Sequence, residues 1–173
     1  MFLRAARVLA ELHADMHANN ILLELPSQRQ RLEDKIRSAT VLPPDLRRAG
    51  LRSLEQMPDG DRLCHGDFHP GNILMTARGP IIIDWIDATR GNPVADVART
   101  WVILSAPRLS IPWFVKVLLS WSHKAYLKRY FQLQSGDQQQ FTAWLPIVAG
   151  ARLSENISEI QDWLLAQVKA GLS

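Results

Sequence analysis

The sequence predicts a mostly helical α+β domain, and three observations carry that expectation. Long stretches at both ends place apolar residues three and four apart. A central stretch, residues 60–90, holds short Ile- and Leu-rich runs. Between them stand Gly, Pro and Asn, which punctuate strands and turns. A chain of 173 residues suits a single domain, 1–173, with a real core. Its 47% hydrophobic and 21% charged content is ordinary for a globular protein. The net charge of +3 is mild and its basic residues are spread along helices, so neither a nucleic-acid nor a membrane partner is expected. No apolar run suffices to span a bilayer, and no N-terminal signal pattern is evident. The single cysteine, Cys64, excludes an internal disulfide and fits a reducing compartment such as the cytoplasm.

Taken in order, residues 2–18 read as a helix with Ala5, Val8, Leu9, Leu12 and Met16 on one face. His13 and His17 stand four apart on it, a zinc-compatible spacing. The glutamate of the H-E-x-x-H signature is missing, since Ala14 follows His13, and packing or capping is the favoured role. Pro26-Ser27 opens a second helix with Leu32, Ile36 and Ala39 as its apolar stripe; its Arg29, Arg31, Glu33, Asp34, Lys35 and Arg37 are expected to form a solvated face. Pro43-Pro44 open a third helix to about Met57. Pro58-Asp59-Gly60-Asp61 then reads as a turn in which glycine permits a positive φ.

Leu63 to Met75 is the centre of the chain. Two apolar runs, Arg62–His65 and Ile73–Met75, flank a polar loop and are expected to form a hairpin of buried strands. Pro70 and Gly71 rule out a helix between Asp67 and Asn72, so the loop folds back and can bring both side chains to one side. Thr76-Ala77-Arg78-Gly79 leads into a third apolar run, Ile81-Ile82-Ile83, ending on Asp84. Two aspartates and an asparagine at a strand edge make an oxygen-rich site of the kind magnesium prefers, often completed by nucleotide phosphates.

Downstream, Gly91 and Asn92 read as a loop, with Asn92 as N-cap, Pro93 in the first helical turn and Asp96 close behind. Residues 111–134 read as a long helix begun by Ser110, with Trp113, Val117, Trp121 and Leu127 on its apolar surface and its lysines on a solvated face. Gln134-Ser135-Gly136-Asp137 ends it. Residues 138–170 read as one or two helices with Pro146 and Gly150 as break points.

His65-Gly66-Asp67, then Asn72, then Asp84 resembles the core of the aminoglycoside phosphotransferase and choline kinase-like family of small-molecule kinases. Spacing, Pro-Gly placement and the Ile-Ile-Ile-Asp-Trp run agree over residues 60–101. Weaker similarity reaches Leu12-His13-Ala14 and Ala151-Arg152-Leu153-Ser154-Glu155. The pattern also parallels the protein-kinase H-R-D-x-x-x-x-N loop, with Gly66 in the arginine position.

The resemblance implies a protein-kinase-like C-terminal lobe with a small catalytic sheet and with residues 60–90 as catalytic loop and metal-binding segment. It implies ATP and magnesium as cofactors, Asp67 as the group orienting or deprotonating a substrate hydroxyl, and Asn72 and Asp84 as metal ligands. His69 stands two after Asp67, where protein kinases place a lysine on the transferred phosphate, and is a second catalytic candidate. His65 is expected to shape the loop, and Asp96 to brace it from behind. Asp87 and Glu155 are candidate substrate contacts. Glu155, Glu159 and Asp162 recur at helical spacing, either as an acidic pocket for an amine or as an exposed stripe. Trp85, Trp101, Trp144 and Trp163 fit either an amine cage or the core.

No Gly-rich phosphate loop, strand lysine or paired helix glutamate is visible before Asp67, so the resemblance covers a C-terminal lobe with the N-terminal lobe absent. The expected function is ATP- and magnesium-dependent phosphorylation of a small-molecule hydroxyl, on an aminoglycoside, choline, sugar or amino alcohol. The expected partners are a nucleotide, that substrate, and an N-terminal lobe or complementing chain. Two other classes remain open. A non-catalytic binding or regulatory module would keep the fold and be indifferent to Asp67 and Asn72. A metal-dependent hydrolase would use His65, Asp67, His69 and Asp84. Cys64, His65 and His69 also suggest a soft-metal site, against which strand alternation sends Cys64 and His65 to opposite faces.

Overall fold

The structure is a computed structural model, and it describes residues 2–19, 24–107, 112–134 and 138–172. Three helices come first: α1 (Phe2–Ala18), α2 (Gln28–Ser38) and α3 (Pro44–Gln56). Then come β1 (Arg62–Cys64), a 3-10 turn (Pro70–Asn72), β2 (Ile73–Thr76), β3 (Gly79–Ile82) and β4 (Thr89–Gly91). Four helices close the chain: α4 (Pro93–Ser105), α5 (Trp113–Leu133), α6 (Gln138–Arg152) and α7 (Gln161–Leu172). No helix among the described residues is long and apolar enough to cross a membrane.

The helix boundaries follow local chemistry. Ser27 caps α2 by accepting the amide of Gln30, and Asn92 caps α4 by accepting that of Val94. Pro44 and Pro93 occupy first turns, where a missing N–H costs nothing. Arg29 fastens α2 to the end of α3 through the carbonyls of Leu54 and Met57. It also pairs with Asp59, so it does not belong to a solvated face.

The helical core runs from Leu9 and Ala10 of α1 through Val97 and Val102 of α4 to Trp144, Ile147 and Leu164. Alpha helix α1 lies along α5, and the seam is polar: His13 and His17 meet Tyr126 and Tyr130. This corrects the expected apolar face of α5, because Trp113, Val117 and Trp121 are exposed. Apolar residues occur all round that helix, so hydrophobicity alone does not select the buried side. The Ser110 start and the Ser135-Gly136-Asp137 end lie outside the described residues.

Strand pairing also departs from expectation. β1 pairs antiparallel with β4, a strand not expected from the sequence and one that includes Gly91, read there as loop, in the register Leu63↔Arg90. The hairpin is formed by β2 and β3, with Leu74 opposite Ile81. It is only half buried: Ile73 and Ile82 pack against the core, while Leu74, Met75 and Ile81 are each at least half exposed. A fully apolar run looks the same whether protein or an external partner covers it.

Near the C-terminus, Pro146 and Gly150 lie inside α6 rather than breaking it. Helix α7 docks there, its Gly171 against the Pro146 ring, so burial offsets the lost helix bond. The break comes at Asn156, in the left-handed region at φ 53°, between two 3-10 turns. Gly60 differs from expectation too, since its φ is not positive. It is small because a Cβ there would lie 2.3 Å from the Gly91 carbonyl oxygen, where the chain entering β1 crosses the end of β4.

Candidate active site

The loop after β1 is held by its backbone. Asp96, in the first turn of α4, accepts the amides of His65 and Gly66, each at 2.8 Å, through separate oxygens. Arg99, one turn on, donates its Nε–H to the Gly66 carbonyl at 3.0 Å, so one helix face grips Gly66 by both its N–H and its C=O. Gly66 has φ +79°, and a Cβ there would meet the Asp87 carbonyl oxygen at 2.5 Å, which explains glycine at this position. Behind β4, the buried Gln28 amide bonds both the N–H and the carbonyl of Asn92, fixing the start of α4.

His65 is fully buried and links the loop to the next segment. Its Nδ1 accepts the Asp67 amide at 3.2 Å, and its Nε2–H donates to the Ile83 carbonyl at 3.0 Å. Cys64, the last residue of β1, is buried as well, and it forms no chelating group with His65 and His69 among the described residues. Burial pushes the Cys64 thiol up, away from the thiolate a soft metal needs.

Asp67 is partly exposed, its side chain at 31%. The Asn72 Nδ2–H2 donates to the Asp67 carbonyl at 2.9 Å and to its Oδ2 at 3.3 Å, which closes the loop across Pro70-Gly71. His69 caps the short turn, its Nδ1 accepting the Gly71 amide at 3.0 Å. That leaves the proton on Nε2, 3.4 Å from Asp67 Oδ2. Arg99 stands 3.8 Å from the other carboxylate oxygen.

The Asn72 carbonyl accepts the Ile83 amide at 2.9 Å, extending the β2–β3 ladder to the residue before Asp84. Asp84 lies beyond the end of β3 and is exposed, with no ion pair among the described residues. It is not a buried carboxylate requiring a partner, as its place after an apolar run suggests. Its φ of +64° is a conformation that costs on the order of 1 kcal/mol for a non-glycine residue.

Both expected substrate contacts stand in ion pairs. Asp87 pairs with Arg31 at 2.8 Å and with Lys35 at 3.6 Å. Glu155 is shared by Lys35, Arg99 and Arg152. Glu159 and Asp162 are exposed and form no acidic pocket with it. The tryptophans do not converge: Trp144 is core, Trp85 packs on His65, and Trp101 meets His123 and Phe141 edge-on. The cations Arg31, Lys35, Arg99 and Arg152 were not marked by sequence reasoning. The one available signal was Arg99, a charge three residues after Asp96 in an apolar helix.

Among the described residues, one group of His, Cys or acid side chains is close enough to chelate: His13, His17 and Asp96. Hydrogen bonds account for it without an ion. Both Nε2 atoms face Asp96 Oδ2, at 3.0 and 3.2 Å, and both Nδ1 atoms face tyrosine hydroxyls, at 2.7 and 2.6 Å. Burial, with His17 adjacent, pushes His13 down to about 4. Burial works to raise the Asp96 carboxyl, but the hydrogen bonds from His13 and His17 outweigh it and hold it well below the usual carboxylate range.

A comparison with curated proteins gives no match. The sequence model described as the phosphotransferase enzyme family matches residues 3–121, which includes all of α1 but its first residue, the whole loop and α4. By that match, the chain belongs to the phosphotransferase enzyme family.

Proposed function

We propose that the chain is the C-terminal lobe of a small-molecule kinase with a protein-kinase-like fold, transferring the γ-phosphoryl group of ATP to an alcohol. One observation carries this reading. The Asn72 side chain ties Asp67 across the loop and the Asn72 backbone ties the strand leading to Asp84, while α4 holds the loop rigid from behind. In the transfer, Asp67 accepts the proton of the substrate hydroxyl. The hydroxyl oxygen bonds to the γ-phosphorus, the bond to the bridging oxygen breaks, and ADP leaves. The Asn72–Asp67 bonds orient the carboxylate, and the His69 Nε2–H beside it limits its rotation.

The residues present fit magnesium. Asn72 spends its Nδ2–H2 on Asp67, and its side-chain Oδ1 has no donor among the described residues. Asp84, which has no ion pair among the described residues, follows the strand that Asn72 anchors, and the two offer a hard-oxygen donor set. Magnesium, when bound there, supplies counter-charge for the phosphates. The exposed apolar side chains of the β2–β3 hairpin, Leu74 and Ile81 opposite each other and Met75 beside them in the strand, support a covering N-terminal lobe, in the same polypeptide or a complementing chain.

The test is phosphoryl transfer from labelled ATP to a panel of alcohols, with and without magnesium, in wild type and Asp67→Asn. The expected result is transfer that needs magnesium and falls at least about 1,000-fold in the variant, with the melting temperature unchanged. Undiminished transfer by Asp67→Asn rejects the mechanism.

A further inference from the structure

A cavity of about 580 Å³ opens beside the loop at His69, Pro70 and Gly71. Its walls are largely apolar, with Leu9 from α1, Ile103 and Leu104 from α4 and Leu119 from α5. Among the described residues that line it there is no carboxylate, and Arg152, at the end of α6, is the one arginine or lysine.

Arg152 is under-satisfied. Its Nε and Nη1 are buried with no hydrogen-bond acceptor, and Nη1 stands 3.3 Å from Glu155 outside hydrogen-bond geometry. Glu155 cannot neutralise it alone, because Arg99 and Lys35 draw on the same carboxylate. In the whole network, Arg31, Lys35, Arg99 and Arg152 share Asp67, Asp87 and Glu155, so four cations meet three carboxylates. Nε and Nη1 are closed to solvent, so an anion in the cavity meets the guanidinium at Nη2 and supplies the counter-charge that the shared Glu155 does not.

We propose that this cavity receives the phosphoryl acceptor, and that the acceptor is a hydroxycarboxylate with an apolar body, its carboxylate paired with Arg152 and its hydroxyl turned to Asp67. The inference rests on the phosphotransfer reading for the role of the hydroxyl, but not for the binding. It disfavours a polycationic acceptor, which would meet Arg152 with no carboxylate on the wall to receive it. The low charge of the remaining wall selects the apolar body.

The experiment is calorimetric binding, without nucleotide, of mandelate, 3-phenyllactate and tropate, each beside its carboxamide, with 2-amino-1-phenylethanol as the cationic comparison. The acids are expected to bind at least about 10-fold more tightly than their amides, the margin of one charge-assisted hydrogen bond. Arg152→Gln removes that margin, and Arg152→Lys retains part of it. The wild-type comparison stands even if Arg152→Gln does not fold. Amides or the amine binding as tightly as the acids, an unchanged margin in folded Arg152→Gln, or no acid binding at millimolar concentration overturns the proposal. Acid binding through Arg152 without any transfer, with an N-terminal lobe supplied, would leave the carboxylate site standing and remove the acceptor role together with the kinase reading. Transfer to neutral or amino alcohols, insensitive to Arg152, would do the reverse.

Discussion

Asp96 Oδ2 accepts the backbone amide of His65 at 2.8 Å while it also receives the Nε2–H groups of His13 and His17. The first turn of α4 thus joins the polar loop to α1 through a single buried carboxylate. Its positive helix end and four nearby donors offset the cost of burying the charge. Replacing Asp96 by Asn puts an amide N–H2 among donors. The expected loss is about 3–5 kcal/mol of stability, read by urea denaturation, with His13→Ala losing less. A loss under about 1 kcal/mol would show that the loop is held by other contacts.

The same cluster predicts a pH dependence. His13, held down to about 4 in the fold, titrates near 6.5 when unfolded. Below the unfolded value the unfolded chain binds the extra proton, so the stability from His13 is complete above 6.5 and is lost progressively as pH falls toward 4. The loss is on the order of 2–4 kcal/mol. Denaturation midpoints measured across this window check it, and His13→Gln should flatten the slope.

How much of this was legible in the residues depends on what kind of force set each feature. The helix starts at Ser27 and Asn92 were readable because capping is local chemistry. So was the closeness of Asp67 and Asn72, because Pro70-Gly71 leaves the loop few ways to fold. The β1–β4 pairing was not, since strand partners are chosen by tertiary packing and Thr89-Arg90-Gly91 carries no strand signature. Nor was the burial of α5, whose inward side is polar Tyr126 and Tyr130 satisfied by histidines far away in sequence. Arg31 and Lys35 looked solvated for the same reason: their partners, Asp87 and Glu155, are more than fifty residues away.

Two glycines should respond oppositely to alanine. Gly60→Ala brings a Cβ to 2.3 Å from the Gly91 carbonyl oxygen, a backbone atom with little freedom to yield, and should cost about 1–3 kcal/mol. Gly150→Ala, inside α6, meets Val168 at 3.7 Å, an ordinary contact, and should stabilise by about 0.5–1 kcal/mol through reduced unfolded-state entropy. Thermal denaturation of both variants reads the signs, and a stabilised Gly60→Ala would mean that the two loops separate readily.

Asp84 is exposed, unpaired among the described residues and held at φ +64°, so its carboxylate contributes little to the fold. Asp84→Ala should leave the melting temperature within a degree or two. Asp84→Gly should raise it slightly by relieving the backbone. If the carboxylate instead serves a cation, Asp84→Ala should abolish the magnesium dependence of ATP binding measured by calorimetry and weaken binding at least about 10-fold. ATP binding that depends equally on magnesium in wild type and Asp84→Ala would remove Asp84 from the metal site. It would leave Asp67 and the anchored loop as the part of the reading still to be tested by transfer.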